Sequence, residues 1–297
     1  MEKFTVWLAC LFWFFASHAQ AVIDVQKAFL QLNNKPTLQR FAYTGKLPKV
    51  GGHLQGIQIW QSSSAEYPVL TGSSGNLAYC LIVKQNHSDQ LQLLDTFPFR
   101  HAGGCQVAGN QLLVGVEDNI AKAESEIVLV QLNDTSSNLL HAVLAKRNGI
   151  FKRSTAGATA ACYTSATRLL VAVGDWDTQN IDFYNCSRIE CDSVNTIQVP
   201  DSLNLPAYQA INLLQQNGTI YLVGFAQSGN RNRADLLQLE LSTTKFCSIS
   251  LVASYYFNIS HGASFRYGAG LSYYNDTLCL YATQRNLKRK NIIAVYR

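Results

Sequence analysis

Past residue 21 the chain has no apolar stretch close to the roughly 20 residues that a bilayer-crossing helix needs, so no membrane span is expected. Charge is scarce: Asp, Glu, Lys and Arg make up 14% of the 297 residues, against 47% hydrophobic. That balance suits a buried core built from many short strands. The net charge of +5 forms no continuous stripe, its tightest cluster being Arg285-Asn286-Leu287-Lys288-Arg289-Lys290. So little counterion release is on offer that nucleic acid is set aside as a partner. Also missing are the CxxC and histidine pairing of a structural zinc site and the GxSxG turn of a serine nucleophile. A WD dipeptide at fixed period is absent as well, since Trp176-Asp177 occurs only once.

At the N-terminus Lys3 precedes an apolar run from Val6 to Ala16, followed by Ser17-His18-Ala19-Gln20-Ala21. Small residues at the two positions a signal peptidase reads predict a signal peptide over residues 1–21, and hence a secreted or periplasmic protein. Cys10 would leave with it. Cys80, Cys105, Cys162, Cys186, Cys191, Cys247 and Cys279 remain, an odd set in an oxidising compartment, so at least one thiol should be unpaired. Cys186 and Cys191 flank a hairpin-like connection and are expected to form a disulfide. Sequons at Asn86, Asn133, Asn185, Asn217, Asn258 and Asn275 matter only in a host that uses them.

Short β-rich runs recur at Gly56–Trp60, Leu112–Val116, Leu169–Val173, Ile220–Gly224 and Leu278–Tyr281, several behind turns such as Gly109-Asn110 and Asn217-Gly218. The segments ahead of them begin at His53, His101, Thr155, Pro206 and His261, at intervals of roughly 50 residues, the period of propeller blades. Small residues open each unit, as innermost strands around a narrow channel require. Third strands read at Leu77–Val83, Glu126–Leu132, Asn180–Cys186, Ala234–Leu241 and Asn291–Arg297, and fourth strands at Gln90–Thr96, Leu139–Leu144, Thr196–Val199 and Phe246–Ser254. The fifth unit lacks a fourth strand. Leu38–Thr44 is expected to supply it and so remove an open edge.

On these repeats the chain resembles a five-bladed β-propeller with four-stranded blades, its last blade closed by the N-terminal strand, over residues 38–297. The resemblance is architectural and matches no single propeller family; a six-bladed ring or a β-sandwich is the alternative. Residues 22–37 form an N-terminal segment in which Asp24–Leu32 reads as a short amphipathic helix.

In a propeller the loops entering the first strands and those joining second to third strands share one face. They carry His53, Arg100, His101, Lys152, Arg153, Tyr208 and His261, together with Glu117, Asp118, Asp175, Trp176, Asp177, Gln227, Arg231, Arg233 and Arg285. Aromatic and charged groups around one opening suit a polar ligand. The expectation is a non-catalytic binding propeller, a monomer that recognises a secreted or cell-surface protein or a glycan, with Trp60, Trp176, Tyr208 and Tyr267 as stacking surfaces. The alternative is a metal-dependent hydrolase, glycosidase-like or nucleotidase-like, as the resemblance to five-bladed enzymes implies. There Glu117, Asp118, Asp175 and Asp177, with the histidines, would hold a divalent metal ion or act as acid and base.

Overall fold

The computed structural model describes residues 24–297 apart from 46, 48–52, 76, 85–88, 95–97, 134–138, 188–190, 243–244 and 275–276. The expected signal peptide lies outside these residues, as do the sequon asparagines Asn86 and Asn275.

Alternation of apolar and turn residues produces strands along nearly the whole chain. Helix α1 (Val25–Leu30) and strand β1 (Thr37–Ala42) come first. They are followed by β2 (His53–Gln61), β3 (Glu66–Ser74), β4 (Leu77–Ile82) and β5 (Gln90–Leu93), then β6 (His101–Ala108), β7 (Gln111–Glu117), β8 (Glu124–Gln131) and β9 (His141–Asn148). Next come β10 (Ala158–Tyr163), β11 (Leu169–Gly174), β12 (Asn180–Cys186) and β13 (Cys191–Gln198), then β14 (Ala210–Gln216), β15 (Thr219–Ser228), β16 (Arg231–Ser242) and β17 (Lys245–Asn258). The chain closes with β18 (Ser264–Tyr274), β19 (Thr277–Thr283) and β20 (Lys290–Tyr296).

Antiparallel pairing divides these strands into groups of four: β2 to β5, β6 to β9, β10 to β13, β14 to β17, and β18 to β20 completed by β1. This is the arrangement of a β-propeller. Neighbouring groups touch through parallel contacts between first strands, at Ala269 and Gly56 and at Ala158 and Gly104. Within each of these two pairs the first strands run the same way and enter from the same face. β1 lies in register on β20 from Thr37 opposite Val295 to Ala42 opposite Lys290, so the two ends of the described chain close one sheet. The fourth strands that differ most from the sequence reading are β9, which begins two residues later than Leu139 and runs on to Asn148, and β13, which begins at Cys191. Both are outer strands with partly exposed, polar-rich patterns, where hydrophobic periodicity carries little signal.

Inner strands are buried on both faces, as the all-buried run Leu169-Leu170-Val171-Ala172-Val173-Gly174 of β11 shows. Apolar clusters fill the spaces between groups; one gathers Phe225, Phe257, Phe265 and Tyr296 around Phe29 of α1. That helix is capped by Asp24, whose Oδ1 accepts the Lys27 N–H at 3.1 Å. Glycine lets the inner strands approach. A Cβ on Gly270 would lie 1.9 Å from the Ile57 carbonyl oxygen, so Gly270→Ala is expected to cost about 1–3 kcal/mol by forcing two first strands apart. Urea unfolding of that variant reads the effect directly; unchanged stability would mean that the strands shift without cost.

Cys186 and Cys191 face each other at the ends of β12 and β13 and are joined in a disulfide, as the spacing predicted. Cys80, Cys105, Cys162 and Cys279 are free thiols. Closing so short a loop stabilises by about 2 kcal/mol in the chain-entropy description. The Cys186→Ser, Cys191→Ser pair should lower unfolding free energy by that order in chemical denaturation.

Candidate functional site

Three buried polar side chains from inner strands, Gln58, Gln106 and Asn212, bond across the centre of the fold. Gln58 Nε2 donates to the Cys105 carbonyl and to Asn212 Oδ1, both at 3.1 Å, while Asn212 also takes the Leu271 N–H at 2.9 Å. Gln106 Oε1 accepts the N–H groups of Ala161 and Leu213 at 3.0 and 2.7 Å. Together with Asn212 they lace the first strands of all five groups and close the channel. Beyond this floor, on the far side, lies a cavity of about 310 Å³ lined by Gln58, Gln106, Leu271 and Tyr273. A larger groove of about 600 Å³, with Gln111, Gln131, His141 and Tyr163 on its walls, lies between the second and third groups, away from the first-strand entrances. These amides were not singled out from the sequence. Their signal was a polar residue inside an apolar strand, as in Ile211-Asn212-Leu213, which burial makes costly unless fully bonded.

On the entrance face, His53 opens β2 and His101 opens β6, with ring centroids 6.4 Å apart. Tyr267 stands 6.3 Å from His53 on the other side. Glu117 ends β7 directly opposite His101, so both side chains project from the same face of the sheet. Its carboxyl is almost completely buried, at 1% exposure, and Oε2 accepts the Ala156 N–H at 2.9 Å. A Cβ on Gly157 would lie 3.3 Å from Oε1, so any side chain there would cover the acid.

Burial pushes the Glu117 carboxyl up to about 7, against the pull of the Ala156 N–H, Lys122 and Arg147. The same burial, with His53 as neighbour, lowers His101 to about 4. His53 is also lowered, first by burial and then by the charges of Arg285 and Arg266. At neutral pH the mouth therefore holds two uncharged imidazoles beside a carboxyl that is about half protonated, a pairing of displaced acidities typical of acid and base chemistry.

The other candidates divide between the mouth and structural work. Arg285 lies beside His53, its carbonyl accepting the Leu54 N–H at 2.7 Å, and Arg100 donates its N–H to the Glu117 carbonyl at 3.2 Å. Asp118 holds a turn through the N–H groups of Ile120 and Ala121, and Asp175 holds another through Gln179 N–H and Asn180 Nδ2. Lys152 pairs with Asp177 at 2.9 Å, and Lys122 Nζ sits 3.9 Å from the Trp176 ring centroid. Arg153 grips Asp182 with both arms, beside Arg147 and Thr196. His261 occupies an exposed turn with its Nδ1 3.0 Å from Ser260 Oγ.

The expected cluster of Glu117, Asp118, Asp175 and Asp177 thus does not converge, and among the described residues no three His, Cys, Asp or Glu side chains are arranged to hold a metal ion. Loop carboxylates near the starts of turns favour bonding their own backbone N–H groups, a local preference that the spacing alone does not reveal. Two aromatic expectations also change. Trp60 is buried with its Nε1 donating to Asn110 at 3.1 Å, and Tyr208 is buried with its hydroxyl donating to Asp235 at 2.8 Å, so neither presents a stacking face. Gln227 accepts from Ser264, Arg231 stacks on Tyr256, and Arg233 donates to Asp235, so these too serve packing.

Family models do not match the chain, and curated proteins show no sequence match to it. Solved structures do share its fold. The Bombyx mori GH32 beta-fructofuranosidase has a TM-score of 0.53 at 11% identity, covering 89% of this chain and 63% of that one. The catalytic domain of the Coprinopsis cinerea GH62 alpha-L-arabinofuranosidase has a TM-score of 0.52 at 6% identity, covering 89% of this chain and 96% of that one. At such identities the likeness establishes the β-propeller fold. It also corrects the expectation of a non-catalytic binding module, because these similar structures are glycoside hydrolases. That expectation rested on solvated loop charges, whereas the mouth contains a buried acid whose ionisation is displaced.

Proposed function

We propose that this protein is a glycoside hydrolase, exported from the cell, that cleaves a glycan at the entrance face of the propeller with Glu117 as general acid. The observation that carries the reading is the Glu117 carboxyl, buried at a strand end opposite His101 and still about half protonated near neutrality. Such an acid can deliver its proton to the glycosidic oxygen as the bond to the anomeric carbon breaks. The carboxylate left behind keeps the Ala156 N–H and the nearby charges of Lys122 and Arg147.

Glycosidases usually pair this acid with a second carboxylate. Asp118, Asp175 and Asp177 are engaged in turns or an ion pair. The second role therefore falls to His53, whose neutral imidazole takes the proton from the water that attacks the anomeric carbon. Lowered basicity keeps that ring ready to accept a proton at pH 7. The fold shared with the GH32 and GH62 enzymes supports the sugar as substrate.

The test is a hydrolysis screen of the purified protein on sucrose, 4-nitrophenyl α-L-arabinofuranoside, 4-nitrophenyl pyranosides, and neutral and acidic oligosaccharides. Sugar release above the buffer rate, with a pH profile whose basic limb falls near 7, is the expected result. A flat profile, or no release from any of them, overturns the proposal.

A further inference from the structure

Three arginines near the entrance face are neutralised by buried acids. Arg147 and Arg153 share Asp182, and Arg233 binds Asp235. Arg266 and Arg285 break this pattern. Both are exposed, and among the described residues neither guanidinium forms an ion pair or a hydrogen bond. Backbone geometry places both at the mouth: Asn286 bridges to His53 and the Arg285 carbonyl takes the Leu54 N–H, while Arg266 immediately precedes Tyr267, whose ring contacts that of His53. After burial, the charges that lower the His53 ring are those of Arg285 and Arg266, and no carboxylate is among them.

We propose that the sugar accepted at this mouth is anionic, carrying a carboxylate or a sulfate, and that Arg266 and Arg285 grip that charge while Tyr267 stacks on the ring. The ligand's being a sugar rests on the hydrolase reading; its charge rests on the arginines. A guanidinium presents a planar fork of donors that matches a carboxylate or sulfate, and the half-buried Tyr267 ring offers an aromatic surface for the apolar side of a sugar. Two unpaired cations around one opening also steer anions toward it, an effect that salt weakens. The specificity follows from the absence of a countercharge: a neutral sugar would leave both guanidinium groups with water alone.

Calorimetric titration with trigalacturonate, a sulfated chondroitin tetrasaccharide and neutral cellotetraose, at 50 and 300 mM NaCl, tests this. At least one charged oligosaccharide should bind about tenfold or more tighter than cellotetraose, lose affinity at the higher salt, and bind at least about tenfold more weakly to the Arg266→Gln, Arg285→Gln protein. The trigalacturonate and chondroitin arms separate carboxylate from sulfate recognition. Because both side chains are exposed, the double variant should melt at the wild-type temperature. Equal affinity for charged and neutral oligosaccharides, or an unaltered double variant, overturns the inference. Reducing-end assays on the same mixtures separate it from the reading beneath: tight, salt-sensitive binding without cleavage removes the hydrolase and keeps the anion site. Cleavage of cellotetraose at the same rate by both proteins, with no preference for charge, does the reverse.

Discussion

Replacing Glu117 with Gln is expected to lower turnover by about 100-fold or more while making the fold more stable than wild type at pH 8. The two effects share one cause. In the unfolded chain the carboxyl ionises at its ordinary value near 4.5, whereas burial raises it to about 7 in the folded protein. As pH rises above the unfolded value, the unfolded state loses its proton first, so ionisation draws the equilibrium toward unfolding until the folded value is passed. A shift of this size is worth about 3 kcal/mol, present as a penalty at pH 8 and absent below the unfolded value. Gln cannot ionise, and its amide oxygen can still accept the Ala156 N–H. Urea unfolding of both proteins at pH 4 and pH 8 checks the stability half, and initial rates on the best substrate of the screen check the other. A variant that gains stability but keeps full activity would reduce Glu117 to a buried structural acid; one that gains none at pH 8 would show that the carboxyl ionises normally.

The second large effect is expected at Asp182. Its carboxylate, 10% exposed, receives both arms of Arg153, the Thr196 hydroxyl and Arg147, itself only 6% exposed. Burial alone would raise its pKa, but Arg153, Thr196 and Arg147 outweigh it and hold the acid below the usual range. Arg147 comes from β9, the outer strand of the second group, and Asp182 from β12 of the third, so the carboxylate clasps neighbouring sheets. Asp182→Ala would leave two guanidinium groups facing one another, one of them buried, and is expected to cost about 3–5 kcal/mol. In the wild type this contribution is complete above the unfolded carboxyl value near 3.8 and is lost as pH falls through the lower folded value. Denaturant titration of the variant, together with an acid-unfolding curve of the wild type, measures both. A loss below about 1 kcal/mol would mean that the arginines find water or other partners.

Neither acid could be ranked this way from its place in the chain. Glu117-Asp118 reads as two equivalent loop carboxylates, yet one ends a strand with its side chain turned under Gly157 and the other bonds its own turn. Asp182, inside Asn180-Ile181-Asp182-Phe183, reads only as a strand residue, although an acid between Ile and Phe signals a buried charge in need of a partner. His53 and His101 were visible as recurring positions because they open successive units, and the structure brings those two together while leaving His261 in an exposed turn.

By itself the sequence determined the β-rich architecture, the spacing of the units, the closing role of the segment after Thr37 and the Cys186–Cys191 disulfide. Each of these depends on local periodicity, turn chemistry or short separation, which neighbouring residues carry among themselves. Tertiary structure alone decided which polar groups face a ligand and which face one another. Partners such as Gln58 and Asn212, or Arg147 and Asp182, lie far apart along the chain, and a carboxylate's ionisation is set by the burial and charges that the ring gathers around it.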